Sequence, residues 1–440
     1  MEKRSGLIVC ILVGILLVLG VPSLTSAAEI NVERISGNNR YETAVKVSKE
    51  GWSTADTVVL ATGTNFPDAL TGTPLAYALN APILLTKKDE IPGATKSEIT
   101  RLGASKVLIL GGTATISTTV ETELVNLGLK VERISGETRY DTSVKIAERL
   151  GSTADTAIVA FGGNFPDSLS IAAYAAKNKL PIFLVTNSSI PKEVKQALEK
   201  YERTIVVGGT SVISDKVYEQ LNKPTRISGE DRYTTSARVV KQLSPSNLTP
   251  VYLATGKDFA DALTGSLLAA KKDSAILLVR PDEVPAPVNS VLNQITVTDV
   301  AIIGGAAAVS EKVVQHFTYD LTSDLIKTAK SLMGTPYLWA GTTPNGFDCS
   351  GYLNYVFAKH GIQLPRTVAS IWNAGTSVSS PQVGDIVFFE KTYDKEGPTH
   401  AGIYLGNNEF IHAGSSTGVT IANLNISYWK DRYLGSKSYY

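Results

Sequence analysis

Residues that cross-link, hold metals or attack bonds are scarce in this chain: two cysteines and four histidines in 440 residues. Cys10 lies inside an apolar run near the start, so Cys349 is the one thiol left if that segment is removed. No internal disulfide can then form, and a lone thiol in an exported protein is either inert and buried or kept for its reactivity. An excess of one charge is also missing. Lys and Arg number 42 against 41 Asp and Glu, and loss of Lys3, Arg4 and Glu2 makes the signs equal. That balance excludes a general attraction to nucleic acid, so any anionic partner must be met by local clusters. HExxH and CxxC spacings are absent, which argues against zinc, and no dinucleotide fingerprint or GxxxxGK[ST] loop occurs.

Long apolar runs are confined to residues 7–21. Lys3 and Arg4 precede that run, Pro22 follows it, and Ser26, Ala27 and Ala28 offer small residues at a cleavage point. The run is shorter than the roughly 20 residues of a spanning helix. It reads as a signal for export over residues 1–28, with no membrane span afterwards.

What is present is a threefold repeat. Arg34-Ile35-Ser36-Gly37 leads to Arg40-Tyr41 and Thr43. The same pattern returns as Arg133-Ile134-Ser135-Gly136 with Arg139-Tyr140 and Thr142, and as Arg226-Ile227-Ser228-Gly229 with Arg232-Tyr233 and Thr235. Gly63, Phe66 and Asp68 recur as Gly162, Phe165 and Asp167, then as Gly256, Phe259 and Asp261. Short runs beginning at Ile83, Ile182 and Ile276 follow, and apolar strands end in Gly111-Gly112, Gly208-Gly209 and Gly304-Gly305. Continuous apolar strands alternating with helical stretches such as 41–50 and 192–201 predict three α/β modules with parallel sheets, over 29–127, 128–221 and 222–317. The glycine pairs read as tight turns. The recurring Arg and Asp suggest ion pairs inside each copy, Arg40 with Asp68, Arg139 with Asp167 and Arg232 with Asp261. A sharper alternative puts these arginines on an anionic ligand. No repeat core holds a histidine, which argues against acid–base chemistry there.

Residues 318–440 differ in character. Ser323 or Asp324 can cap a helix running to about Met333. Cys349 then stands at the start of another helix, with Asp348 as its N-cap, a place that favours the thiolate. Such a nucleophile needs a base. His316 falls in the linker, and His360 near a helix C-terminus, where it suits capping. His400 and His412 remain, on two strand-like runs separated by the turn signal Gly406-Asn407-Asn408. A three-residue loop would pair Leu405 with Glu409 and Gly402 with His412. It would set both histidines on one face as diagonal neighbours, roughly 7–8 Å apart at the backbone. A two-residue loop would put them on opposite faces, so the chemistry demands an odd loop or a bulge. On this reading His400 is the base and His412 orients it through a ring hydrogen bond.

Two resemblances complete the reading. The RISGxxRYxT start, the FPDAL-like segment, the ILL run and the GG-ended strand resemble the type-2 cell-wall-binding repeat of Gram-positive surface proteins. This implies attachment to an anionic wall polymer by three modules about a pseudo-threefold axis, with the ILL run near the ligand. Phe183 and Ala275 depart from that pattern. PYLWAG (336–341), DCSGY (348–352), LPRT (364–367), GDIVFF (384–389), HAGIYLG (400–406) and FIHAG (410–414) resemble the NlpC-type cysteine peptidases. That resemblance implies a papain-like α+β fold, with Cys349 as nucleophile, His400 as base, His412 as the orienting residue and Tyr337 on the oxyanion. It implies no cofactor, and as substrate the peptidoglycan stem peptide cut between D-glutamate and the diamino acid. Ala340 stands where the family often has glycine. A non-catalytic surface-layer or adhesion protein and a thiol amidase or acyltransferase are the competing readings.

Overall fold

The computed structural model describes residues 30–440 except 66, 245, 246, 296 and 319; the export signal lies outside the described residues. The chain divides into two compact units, the first ending at Thr318 and the second spanning Tyr319–Tyr440. No helix among the described residues is long and apolar enough to cross a membrane.

The first unit holds three four-stranded parallel sheets with helices between their strands. One runs in the order Ile83–Thr86, Thr57–Thr62, Lys106–Leu110, Lys130–Ile134, and the second Ile182–Val185, Thr156–Phe161, Arg203–Val207, Pro224–Ile227. The last strand of each belongs by sequence to the following copy. The third sheet closes the cycle: Asn31–Ile35, which opens the first copy, pairs with Asp299–Ile303 of the third. Sheets and sequence copies are thus out of step by one strand, and the three copies form a ring. The helices Pro67–Ala78, Pro166–Lys177 and Ala260–Lys271 pack on one another within it. They are buried on nearly every side, and their sequences are accordingly small or apolar all round.

The ring corrects the expected ion pairs. Each of these inner helices packs on the opening helix of the next copy (Arg139–Leu150 for the first, Arg232–Leu243 for the second, Arg40–Gly51 for the third). The Asp at its start therefore meets the next copy's Arg-Tyr-x-Thr. Asp68 faces Arg139 and Thr142, Asp167 faces Thr235 and Arg232, and Asp261 faces Arg40. Within its own copy each of these arginines instead donates to a carbonyl, Gly63 at 2.5 Å, Gly162 at 2.6 Å and Gly256 at 2.5 Å. Burial pushes the carboxyls of Asp68 and Asp261 up to about 6 and raises Asp167 as well.

The first glycine of each pair has positive φ (108°, 123° and 118°), and the Asp carboxylate sits 2.6–2.8 Å from where a Cβ would be. Only glycine leaves room for that carboxylate. The RIS arginines reach back across the same junction. Arg133 donates to Gly111 O at 2.8 Å and pairs with Glu121, Arg226 binds Gly208 O and Asp215, and Arg34 binds Gly304 O and Glu311. The ILL runs are fully buried edge strands, so their side chains face the core.

In the second unit six strands form one antiparallel sheet: Thr376–Val378, Tyr433–Ser438, Ile386–Glu390, Pro398–Gly406, Glu409–Gly414, Gly418–Asn423. The helix Cys349–Lys359 packs on the middle strands Pro398–Gly406 and Glu409–Gly414. The helix ahead of it, Leu321–Ser331, begins earlier than expected. Asp320 is its cap, accepting from Ser323 N at 3.0 Å. His316 is not in a linker: it belongs to the helix Glu311–Thr318 of the first unit and bonds Asn289.

The junction chemistry gives a test. Thr235 is 2% exposed; its hydroxyl accepts from Gly229 N at 3.0 Å and bonds Asp167. Thr235→Val keeps the shape and strands both partners, at a cost of roughly 2 kcal/mol. Calorimetry is expected to show the transition of the first unit falling by several degrees while that of the second stays in place.

Candidate active site

Cys349 opens its helix half-buried. The turn before it is fixed by charge. Asp348 accepts from Gly351 N at 2.6 Å, and Arg366 grips both carboxylate oxygens, at 3.1 and 2.7 Å, while also donating to Ser350 Oγ at 2.7 Å. A planar fork suits a carboxylate, and here it locks the nucleophile's two neighbours. Sequence reasoning noted the LPRT segment but gave Arg366 no part; its signal was the acid at Asp348 needing a partner.

The histidines are placed by their hairpin. Asn407 and Asn408, both with φ near +55° (52° and 61°), make a two-residue turn that pairs Gly406 with Glu409. Left alone, that turn would put His400 and His412 on opposite faces. A bulge between Tyr404 and Gly406 adds Leu405 and resets the register to Tyr404 with Phe410 and Ile403 with Ile411. The expected pairing of Leu405 with Glu409 is therefore corrected: the odd residue is a bulge, not a longer loop. Both rings then share a face, and His400 Nε2 lies 2.8 Å from His412 Nδ1. His360 caps its helix through its backbone N–H, while its ring bonds Thr328 Oγ1 at 2.8 Å on the neighbouring helix.

Tyr337, half-buried, stands where the preceding loop bridges to Phe347. Burial, then Cys349 and Asp348, hold its phenol above the ordinary range, so it is a neutral donor. Cys349, His400, His412, Tyr337 and Arg366 line one cleft of about 1190 Å³. Exposed Trp339 stands on its rim. Trp429, which the sequence did not single out, borders the same cleft and touches both imidazoles. No group of three or more His, Cys, Asp or Glu arranged to hold a metal occurs among the described residues.

Opposing effects act on the Cys349 thiol. The helix start does favour the thiolate through the Ser350 and Cys349 N–H groups, but burial and the Asp348 carboxylate outweigh it and push the thiol up to about 11. Burial drives His400 down to about 3, with His412 adding to it, and His412 down to about 4. Burial thus favours the uncharged form of all three groups.

Comparison with known proteins agrees with this architecture. The cell wall binding domain 2 (CWB2) family matches residues 34–121, 133–218 and 226–314, and the NlpC/P60 family matches 334–438. The chain belongs to the CWB2 family, with three such repeats followed by an NlpC/P60 domain. It is 36% identical over 312 residues to N-acetylmuramoyl-L-alanine amidase LytC of Bacillus subtilis (strain 168), which is 70% of this chain and 62% of that one. It is 56% identical over 117 residues to the probable peptidoglycan endopeptidase LytE of the same organism, covering 27% and 34%. Among solved structures Cwp6 from Clostridium difficile aligns with a TM-score of 0.63 at 31% identity, covering 66% of this chain and 48% of Cwp6. The chain spans less than two thirds of the length of each of these relatives.

Two measurements follow. Ala340 has φ of 60°, a conformation that costs a side chain about 1 kcal/mol. Ala340→Gly is expected to raise the melting temperature of the second unit, seen by calorimetry. The two imidazoles have folded pKa values below the ordinary 6.5, so the unfolded chain takes protons that the folded unit refuses. This stability is complete above about pH 6.5 and is lost as pH falls from there toward 4 and 3. The urea midpoint of the second unit should drop between pH 7 and pH 4, and drop less in His400→Gln.

Proposed function

We propose that the protein is an exported, wall-attached peptidoglycan hydrolase that cuts stem peptides between D-glutamate and the diamino acid. The observation carrying this reading is the 2.8 Å bond from His400 Nε2 to His412 Nδ1 in the cleft that also holds Cys349. For His400 to act as base, its Nε2–H donates to His412, leaving Nδ1 for the thiol. The proton leaves Cys349 Sγ for His400 Nδ1 as sulfur adds to the amide carbonyl. The Tyr337 hydroxyl donates to the oxyanion. His400 then gives the proton to the leaving diamino-acid amine, and water, activated by the same nitrogen, releases the acyl group from sulfur.

The relatives' names support the reaction class unevenly. LytE's match has the size of the second unit, and LytE is called a probable peptidoglycan endopeptidase. LytC's 312 residues are far more than the second unit contains, so its amidase name bears little on Cys349. The repeats would hold an anionic wall polymer and raise the effective concentration of substrate.

Purified peptidoglycan digested with the protein is expected to release fragments bearing a new diamino-acid amine, read by mass spectrometry. Cys349→Ala should release none while still sedimenting with walls. Fragments with a freed muramic lactyl group would replace endopeptidase by amidase. Silence from both proteins, with wall binding intact, would leave a surface-binding protein.

A further inference from the structure

Trp429 touches both imidazoles and has no part in the reaction as written. Its indole lies stacked on His400, ring centroids 5.3 Å apart and planes 27° from parallel. It meets His412 edge-on, at 4.9 Å and 76°. Phe389 and Phe410 press on the indole at 4.7 and 5.2 Å, so the ring is wedged in place. Phe389 also contacts His400, and Phe410 contacts His412. The histidine pair therefore has a hydrogen bond along one edge and an aromatic wall behind it. The wall is supplied by a separate four-residue helical turn, Ser427–Lys430, packed outside the hairpin.

We infer that Trp429 is a positioning residue for the His400–His412 pair. A hydrogen bond between two ring nitrogens fixes a distance but leaves both rings able to tilt about it. The stacked indole fixes the plane of His400, and with it the direction of the nitrogen not bonded to His412. The indole also excludes water that would compete for that nitrogen. Its face carries negative quadrupolar density, so its attraction to His400 grows as the ring takes the proton from Cys349. An interaction that strengthens on the way to the transition state speeds the step. The ionisable groups around the pair are Cys349, Tyr337, Tyr393, Lys395, Tyr428 and the Asp348–Arg366 couple. The inference rests on His400 being the base.

The test uses the full chain with Trp429→Phe, Trp429→Ala and, separately, His400→Ala. The readouts are kcat and KM on a glutamyl–diamino acid stem peptide and the pH dependence of Cys349 alkylation by iodoacetamide. The thiol uptake that peptide substrate protects counts competent molecules. Trp429→Ala should lose roughly 10–100-fold in kcat per competent molecule, with KM little changed. Its alkylation profile should move its acid limb up toward the ordinary imidazole range, as water reaches His400. Trp429→Phe should recover most of the rate. Acid titration of the wild type should quench tryptophan emission as His400 protonates, and Trp429→Phe should lack that quenching, a readout independent of how the alanine variant folds. A Trp429→Ala enzyme with unchanged kcat and an unmoved profile would overturn the inference. So would a loss accounted for wholly by fewer competent thiols. Either result leaves the base assignment standing if His400→Ala is inactive. A His400→Ala protein with wild-type activity and profile would sink the base assignment and this inference together.

Discussion

One extra residue, Leu405, decides whether His400 and His412 can meet at all. The Asn407-Asn408 turn is a favoured two-residue hairpin connection, and its register would send His400 and His412 to opposite faces of the sheet. The bulge at Leu405 shifts every pair beyond it by one and brings the rings within hydrogen-bond distance. The rest follows from that register. The Cys349 helix lies across the two strands that carry the histidines, and Trp429 touches both rings because both face its side. Bulges break a ladder at some cost, and they collect beside active sites because they re-aim side chains.

A second constraint is the contest at Cys349 between the helix start and burial. Local sequence suggests a thiolate because it shows the N-terminus and the cap. It does not show how deeply the sulfur is buried beside the Asp348 carboxylate. Arg366 neutralises much of Asp348 through its fork, yet acts on Cys349 less than burial and Asp348 do. Burial thereby favours the uncharged form of both Cys349 and His400, which line one cleft. It also makes the site sensitive to anything that wets His400, since its neutrality depends on burial.

Much of the fold was legible because it is periodic. Three recurrences of RISGxxRYxT and of the GG-ended strands are enough to predict parallel α/β modules, since continuous apolar strands between helices have few other solutions. The hairpin and the two histidines were legible for the same reason: strand alternation makes the need for an odd residue a matter of counting. What was not legible is who sits beside whom. Asn31–Ile35 reads as a strand, but nothing local says that its neighbour is Asp299–Ile303 at the far end of the repeats. The Arg and Asp of one copy look like partners because they lie close in sequence, whereas the ring gives each Asp to the next copy. Trp429 was invisible for a related reason: it sits in a four-residue turn with no periodic context, and its importance comes wholly from the rings it touches.

The ring also bears on how the first unit meets its ligand. Six arginines recur by position, and a recurring cation invites an anionic partner. Yet Arg34, Arg133 and Arg226 each bind a carbonyl and a carboxylate of the neighbouring copy. Arg40, Arg139 and Arg232 each bind a glycine carbonyl of their own copy beside the preceding copy's Asp. Drawing such an arginine onto a phosphate or carboxylate would strand a carbonyl and leave a buried Asp facing one charge fewer. That loss is of the same order as the stabilisation a new ion pair would bring. The repetition of these residues is therefore explained by the repetition of the junction. The ILL side chains are likewise committed to the core. The loops that follow the ILL-type strands, by contrast, differ between copies: Lys87 and Lys88 in the first, Thr186 and Asn187 in the second, Arg280 and Pro281 in the third.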